Sequence, residues 1–275
     1  MKSRSFAERF CRFALAAALV AVAGDAAAFA GVVVPARFEL KARAGQVVAN
    51  VLEIGNDAVT PDEFSVRTAD WELSEHGGVV LHDEALQPGS CRPWVRIERR
   101  TVRLPPRSSR RFRFEVHVPP DTPPVECRFA LVVQSTSEKL PEVRSGNIVM
   151  PVQGRLGVIV YVAVGDVAPK LEVRSVELGD MNGMLVPLAT VHNSGTAHGR
   201  IEGVLQGTDA AGRRVEFSVS TFPILAGETR VIPIWAADEP GPGGKAPAWS
   251  PPLRLRGDIE WPGGKYRVDR TLEKR

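Results

Sequence analysis

Short segments in which apolar and polar residues alternate run through most of the chain. Alternation with a period of two places every second side chain on one face, which is the pattern of a half-buried β-strand. Clusters of glycine, proline and asparagine separate the segments, and these residues favour turns. The clearest strands are predicted at 47–54, 64–71, 112–118 and 127–133, with a long one at 147–164. The pattern indicates an all-β protein with almost no helix.

Parts of this pattern occur twice. An apolar strand that ends on an asparagine and a turn is found at Leu52–Asn56 and again at Leu188–Asn193. A turn, polar residues and an alternating strand follow each other at Pro106–Phe114 and again at Ala226–Ile234. Such internal similarity is typical of two domains of one kind. We therefore predict two tandem immunoglobulin-like β-sandwich domains.

The N-terminus has the layout of a secretory signal peptide. A basic start that includes Lys2 and Arg4 precedes an apolar run at 13–23, and Ala28-Phe29-Ala30 supplies a small-residue cleavage site. The apolar run is too short to span a bilayer of about 30 Å, so we expect export without stable membrane insertion. The predicted parts of the chain are a signal peptide at 1–30, a first domain at 31–165 and a second domain at 166–275.

The cysteines fit an exported protein. Cys11 lies in the leader, which leaves Cys91 and Cys127 in the part bound for an oxidising compartment. A disulfide between them is the natural interpretation, because a redox or metal pair would favour C-x-x-C spacing.

Little in the sequence indicates catalysis or nucleic-acid binding. There is no G-x-S-x-G, H-E-x-x-H or phosphate-binding glycine loop. His192 and His198 are six residues apart across a turn and lack an obvious third metal ligand. The net charge is only +3, which gives no reason to expect a nucleic acid as partner. We predict a protein that is not an enzyme and has no cofactor or metal.

One stretch is strongly basic. Nine arginines lie between Arg92 and Arg113, against the single acid Glu98. The stretch is either a solvated face of two strands or an anion-binding surface for a carboxylate or an acidic partner.

A strand at Glu126–Val133, a polar loop and a long alternating segment at Asn147–Tyr161 follow each other. This order resembles the periplasmic pilus-assembly chaperones of the chaperone–usher type, of which the chain would be a divergent member. The resemblance implies a periplasmic protein that caps an exported pilus or surface-fibre subunit by donating a β-strand to it. An outer-membrane usher is a further partner that it implies.

The resemblance also implies site residues. Ile148, Met150 and Val152 are the side chains expected to enter the subunit, unless this segment belongs to the core of its own domain, as we expect of Val158–Val162. In the family, an arginine and a lysine bind the carboxylate at the subunit's C-terminus. The matching positions hold Leu40 and Gly157, so the nearby Arg37 and Arg155 are the candidate carboxylate anchors.

A structural cell-envelope protein with tandem sandwich domains that bind glycan or peptidoglycan is the alternative. Exposed aromatic side chains would support it. The candidates are Trp71, Trp94, Trp235, Trp249 and Trp261, of which Trp249, in a proline-rich loop, is expected to be the exposed one.

Overall fold

The structure is a computed structural model that describes residues 30–74, 78–136, 142–145, 148–151, 154–181, 183–237 and 249–274. Apart from one 3₁₀ turn at Arg92–Trp94, the regular elements of these residues are all β-strands. The strands of the first half are β1 Gly31–Val34, β2 Arg37–Ala42, β3 Val47–Asn56, β4 Asp62–Leu73, β5 Val79–His82, β6 Val95–Ile97, β7 Thr101–Leu104, β8 Ser108–His117, β9 Val125–Ser135, β10 Glu142–Ser145, β11 Ile148–Pro151 and β12 Arg155–Val164. Those of the second half are β13 Leu171–Met181, β14 Met184–Asn193, β15 Val204–Thr208, β16 Arg214–Val219, β17 Thr229–Ala236, β18 Leu253–Trp261 and β19 Gly264–Leu272.

Two sheets enclose the core of the first half. One has the order β1-β3-β8-β6, and the other has the order β2-β12-β9-β4-β5 with β7 also paired to β4. The alternation along each strand places one face of each sheet in a shared apolar cluster. Phe64, Phe112, Phe114 and Phe129 are its largest fully buried side chains.

The second half is built from a seven-stranded sheet with the order β13-β14-β17-β16-β15-β18-β19. Strand β17 turns this sheet back on itself, because Thr229–Pro233 pair with β14 and Ile234–Ala236 pair with β16. A second apolar cluster, which includes Ile201, Phe217 and Ile259, fills the space between the two layers. The predicted all-β fold of tandem immunoglobulin-like sandwiches is confirmed.

The prediction of one long strand at 147–164 is wrong. The structure has β11 and β12 as separate strands: β11 forms a two-stranded hairpin with β10, whereas β12 joins the main sheet beside β9. Proline lacks a backbone N–H, and Pro151 is the last residue of β11.

The sequence repeat corresponds to a repeated structural feature. Asn56 ends β3 and Asn193 ends β14, and both side chains are fully buried. The Asn193 amide donates to the carbonyl oxygens of Ala197 and Ile224 at 2.8 and 2.9 Å, and its Oδ1 accepts from two backbone N–H groups. Asn56 likewise donates to backbone carbonyls and accepts from the N–H of Ala58. Each asparagine therefore closes the turn that follows its strand.

The predicted disulfide is confirmed. Cys91 and Cys127 are bonded with their Cα atoms 5.5 Å apart, and both are buried in the core of the first half. The bond ties the segment before the 3₁₀ turn to β9. No helix in the described part of the chain is long and apolar enough to cross a membrane.

Candidate functional site

Part of strand β12 is an open sheet edge. Strand β9 pairs with all of Arg155–Val164, but on the other side β2 pairs only with Ile159–Val164. The N–H of Ile159 donates to the carbonyl of Ala36 on the β2 side. Because the N–H groups of consecutive residues point to opposite sides of a strand, those of Arg155 and Gly157 point to the same side as that of Ile159. No strand of the described residues pairs with them there, which leaves an open edge about 13 Å long at Arg155–Val158.

The two candidate carboxylate anchors lie at opposite ends of this open edge. Arg155 is at its start, and Arg37 lies opposite Ile159, where β2 begins. Each arginine contacts a carboxylate of the chain itself. The Arg155 Nη2 atom is 2.9 and 2.7 Å from the two carboxylate oxygens of Asp83, and the Arg37 Nε atom is 3.0 Å from Glu39 Oε1. Leu40, by contrast, is buried in the core.

The segment 79–92, which we call the strap, begins with the edge strand β5 and places Leu81 and Asp83 beside outward-facing residues of β12. Leu81 covers Gly157, since a β-carbon at Gly157 would be 3.7 Å from both methyl groups of Leu81. Asp83 follows β5 and reaches Arg67 on β4 as well as Arg155 on β12. The strap therefore joins residues that are far apart in sequence into one site beside the open edge, which sequence reasoning missed.

The end of the strap is fixed by covalent and polar contacts. Cys91 belongs to the disulfide, and the next residue, Arg92, donates from Nη2 to the carbonyl of Asp83 at 2.8 Å. The Arg92 Nη1 atom lies 3.6 Å from Oδ2 of Asp70, whose side chain is buried. These contacts hold Asp83 in place relative to the sheet.

The predicted inserting residues fall on and beyond β11. Ile148 and Met150 lie in the hairpin opposite Ser145 and Val143. Among the described strands β11 has a neighbour on one side only, so it too is an edge strand. Val152 lies outside the described residues. Val158, Val160 and Val162 are buried in the core of the first half, as expected.

A polar cluster connects the main sheet to the second half. The His198 ring stacks on Tyr161 with 3.7 Å between ring centroids, and its Nδ1 atom lies 2.8 Å from Glu126 Oε2. The guanidinium group of Arg200 also lies over the Tyr161 ring, 5.8 Å from the ring centroid, and its Nη2 atom is 3.5 Å from the phenol oxygen. Burial raises the pKa of Tyr161 to about 12, so the phenol stays neutral. The cluster reaches the open edge through Glu39, which contacts both Arg200 and Arg37.

The arginines of the arginine-rich stretch lie on several different surfaces. Arg92 belongs to the strap, and Arg103 contacts Glu63 across the β4–β7 pair. Arg111 and Arg113 are exposed on β8, where Arg113 contacts Glu115 at 2.7 Å. This distribution over several surfaces favours the interpretation of solvated strand faces.

The tryptophans do not form an exposed aromatic platform. Trp71 is fully buried, with its Nε1 atom donating to the carbonyl of Phe129, and Trp249 is half-buried against Phe217 with ring centroids 5.8 Å apart. The expectation of an exposed Trp249 is therefore wrong. Trp94 and Trp261 are also half-buried, each against one of the two cores. This removes the observation that would have supported glycan binding.

The described histidines and carboxylates show no metal centre. His192 contacts the hydroxyl of Thr229 at 2.9 Å, whereas His198 contacts Glu126. Among the described residues, no group of three or more histidine, cysteine, aspartate or glutamate side chains could hold a metal ion.

No family model matches the sequence, and no curated protein matches it significantly. The structure is similar to those of several fimbrial chaperones at low sequence identity. The YadV chaperone is 11% identical, with a TM-score of 0.47 over 87% of this chain and all of the other. The CupB2 chaperone of Pseudomonas aeruginosa is 12% identical, with a TM-score of 0.43 over 88% of this chain and all of the other. A complex of the chaperone CsuC with the tip subunit CsuE from Acinetobacter baumannii gives 11% identity and a TM-score of 0.44, over 86% of this chain and 97% of the other.

Proposed function

We propose that the chain is a periplasmic, non-catalytic chaperone that binds an exported pilus or surface-fibre subunit by strand addition. The observation that carries this proposal is the open edge at Arg155–Val158, with an arginine at each end. The leader at 1–30 would direct the protein to the periplasm, where the disulfide can form. Domains at 31–165 and 166–275 and an outer-membrane usher as a second partner are parts of the same proposal.

Strand addition fits the chemistry of this edge. An unpaired N–H or C=O group favours pairing with another extended segment, and an incomplete sandwich lacks such a segment. The groups of Arg155 and Gly157 that point outward would supply these hydrogen bonds. Alternate side chains of the donated segment would fill pockets in the subunit, which is the role we propose for Ile148, Met150 and Val152 on and after the second edge strand β11.

The direction of the partner segment decides which arginine binds its C-terminal carboxylate. Strand β12 runs from Arg155 towards Val164, so an antiparallel partner would end beside Arg155. A parallel partner would end beside Ile159, where Arg37 is the nearest candidate. Arginine suits either role because its guanidinium binds carboxylates through two parallel hydrogen bonds.

The first test removes one donor from the open edge. Gly157→Pro deletes the outward N–H while Leu156 and Val158 keep their hydrogen bonds to β9, so we expect a folded protein that no longer retains its subunit. Gly157→Ala is the matched control, because its β-carbon makes only ordinary contact with Leu81 at 3.7 Å and its N–H remains. The measurement is affinity capture of the tagged protein from periplasmic extract, with partners identified by mass spectrometry. A fibre-type subunit captured equally by both variants would contradict pairing at this edge.

The second test concerns the proposed donated side chains. Changing Ile148, Met150 and Val152 together to aspartate should abolish capture of the same subunit, because charged side chains cannot enter apolar pockets without a large desolvation cost. Circular dichroism and thermal unfolding should remain those of the parent if these residues serve the partner. A marked loss of thermal stability would instead assign them to the protein's own core.

A further inference from the structure

Arg155 is already bound by Asp83, and this contact gives the open edge a built-in competitor. We propose that Asp83 is a latch that occupies Arg155 in the free protein and is displaced by the C-terminal carboxylate of an antiparallel partner segment. This inference rests on the proposed function, because it describes how the same edge is regulated. The latch would lower the affinity for segments that pair with the edge but carry no carboxylate at that end.

The geometry of the latch is that of a filled carboxylate site. Two arginines from different strands converge on Asp83: Arg155 contacts both carboxylate oxygens, and Arg67 Nη2 lies 3.1 Å from Oδ2. Although partial burial acts to raise it, the hydrogen bonds and charges of Arg67 and Arg155 hold the pKa of Asp83 below its ordinary value. The latch therefore stays ionised at neutral pH. A carboxylate from outside would meet the same arrangement of donors.

The Asp83 side chain is accessible enough for an incoming carboxylate to replace it on Arg155. The side chains of Asp83, Arg67 and Arg155 are each about one-third exposed, at 35%, 35% and 36%. An exposed ion pair contributes little net stability, because water competes for both partners. The backbone of Asp83, in contrast, is fixed through its carbonyl by Arg92. The side chain can thus leave Arg155 while the strap remains in place.

The opposite end of the edge offers a matched comparison. Arg37 contacts Glu39 there, with both side chains about half exposed at 50% and 49%, and Glu39 also lies 3.8 Å from Arg200 and 3.6 Å from His198. At each end the carboxylate has a second arginine, Arg67 for Asp83 and Arg200 for Glu39, but it is Asp83 that contacts Arg155, where an antiparallel partner would end. Removing the Asp83 charge should therefore affect a partner that ends beside Arg155, and removing the Glu39 charge should not.

The test uses a synthetic peptide of alternating threonine and valine, labelled at its N-terminus, with either a free or an amidated C-terminus. Fluorescence anisotropy gives its affinity for the mature protein, Asp83→Asn and Glu39→Gln. We expect Asp83→Asn to bind the free-acid peptide about tenfold more tightly than the parent does, with little change for the amide. Glu39→Gln should leave both affinities unchanged. Adding Arg155→Gln to Asp83→Asn should abolish the gain, which excludes a general loosening of the strap as its cause.

Three results would overturn the latch. If Asp83→Asn leaves both affinities unchanged while the parent binds the peptides, the edge accepts strands and the proposed function survives without a latch. If the affinity for both peptides rises equally, the aspartate shields the edge rather than competing for Arg155. If neither peptide binds any of the proteins, both the latch and the proposed function of this edge are contradicted.

Discussion

Removing the disulfide is expected to be among the most destabilising changes in the chain. Replacing Cys91 and Cys127 together by alanine should lower the free energy of unfolding by about 4 kcal/mol, because the unfolded chain regains the conformational entropy that the closed loop had removed. The two cysteines are 36 residues apart, and the loop that they close begins at the C-terminal end of the strap. Both cysteines are also buried in the first core, so the loss of their sulfur atoms adds to the cost. Urea denaturation of the parent and the double variant measures the difference.

The same variant separates two roles of the disulfide. If it only restricts the unfolded chain, the free-acid peptide should bind the folded variant with the affinity of the parent. If it also positions the strap, binding should change, because Asp83 lies eight residues before Cys91. A fall in unfolding free energy of less than about 1 kcal/mol would contradict the entropic account, in which a loop of this length contributes several times more.

The sequence predicts where the strands lie in the chain better than it predicts which strands pair with each other. Alternation placed β3, β4, β8 and β9 correctly within a few residues, because burial of one face is a local property with a period of two. The end of β11 was also visible in principle, since Pro151 cannot donate to a sheet. What alternation cannot supply is which strand pairs with which, because that depends on the free energy of the whole assembly. The open edge of β12 therefore emerged only from the structure.

The site depends on contacts between residues far apart in the chain. Asp83 and Arg155 are 72 residues apart, and so are Glu126 and His198. No spacing rule links such pairs, and a single aspartate among many carries no signal of its own. Arg37 and Arg155 came under consideration only through the resemblance to pilus chaperones. The structure adds their positions at the two ends of one edge and the carboxylates that occupy them.

The other large effect is expected at the two buried asparagines. Asn193→Asp replaces an amide that donates to the carbonyls of Ala197 and Ile224 by an oxygen that faces them. We expect the free energy of unfolding at neutral pH to fall by about 3 kcal/mol, since two buried carbonyls lose their donor and a charge is buried beside them. Asn56→Asp should have a similar effect in the first half, because that amide also donates to backbone carbonyls. Denaturant unfolding of the two variants tests this equivalence.

The pH dependence identifies the cause of the loss. In the folded Asn193→Asp variant, burial and the facing carbonyls should raise the carboxyl pKa above its unfolded value of about 3.9. A group with a raised folded pKa contributes stability that is present below the unfolded pKa and is lost as the pH rises through the folded pKa. The free energy of unfolding of the variant should therefore approach that of the parent near pH 4, where the protonated carboxyl can donate one hydrogen bond. Towards pH 7 the variant should become less stable than the parent. A difference from the parent that is the same at both pH values would show that the charge does not matter and that changed packing around the turn is responsible.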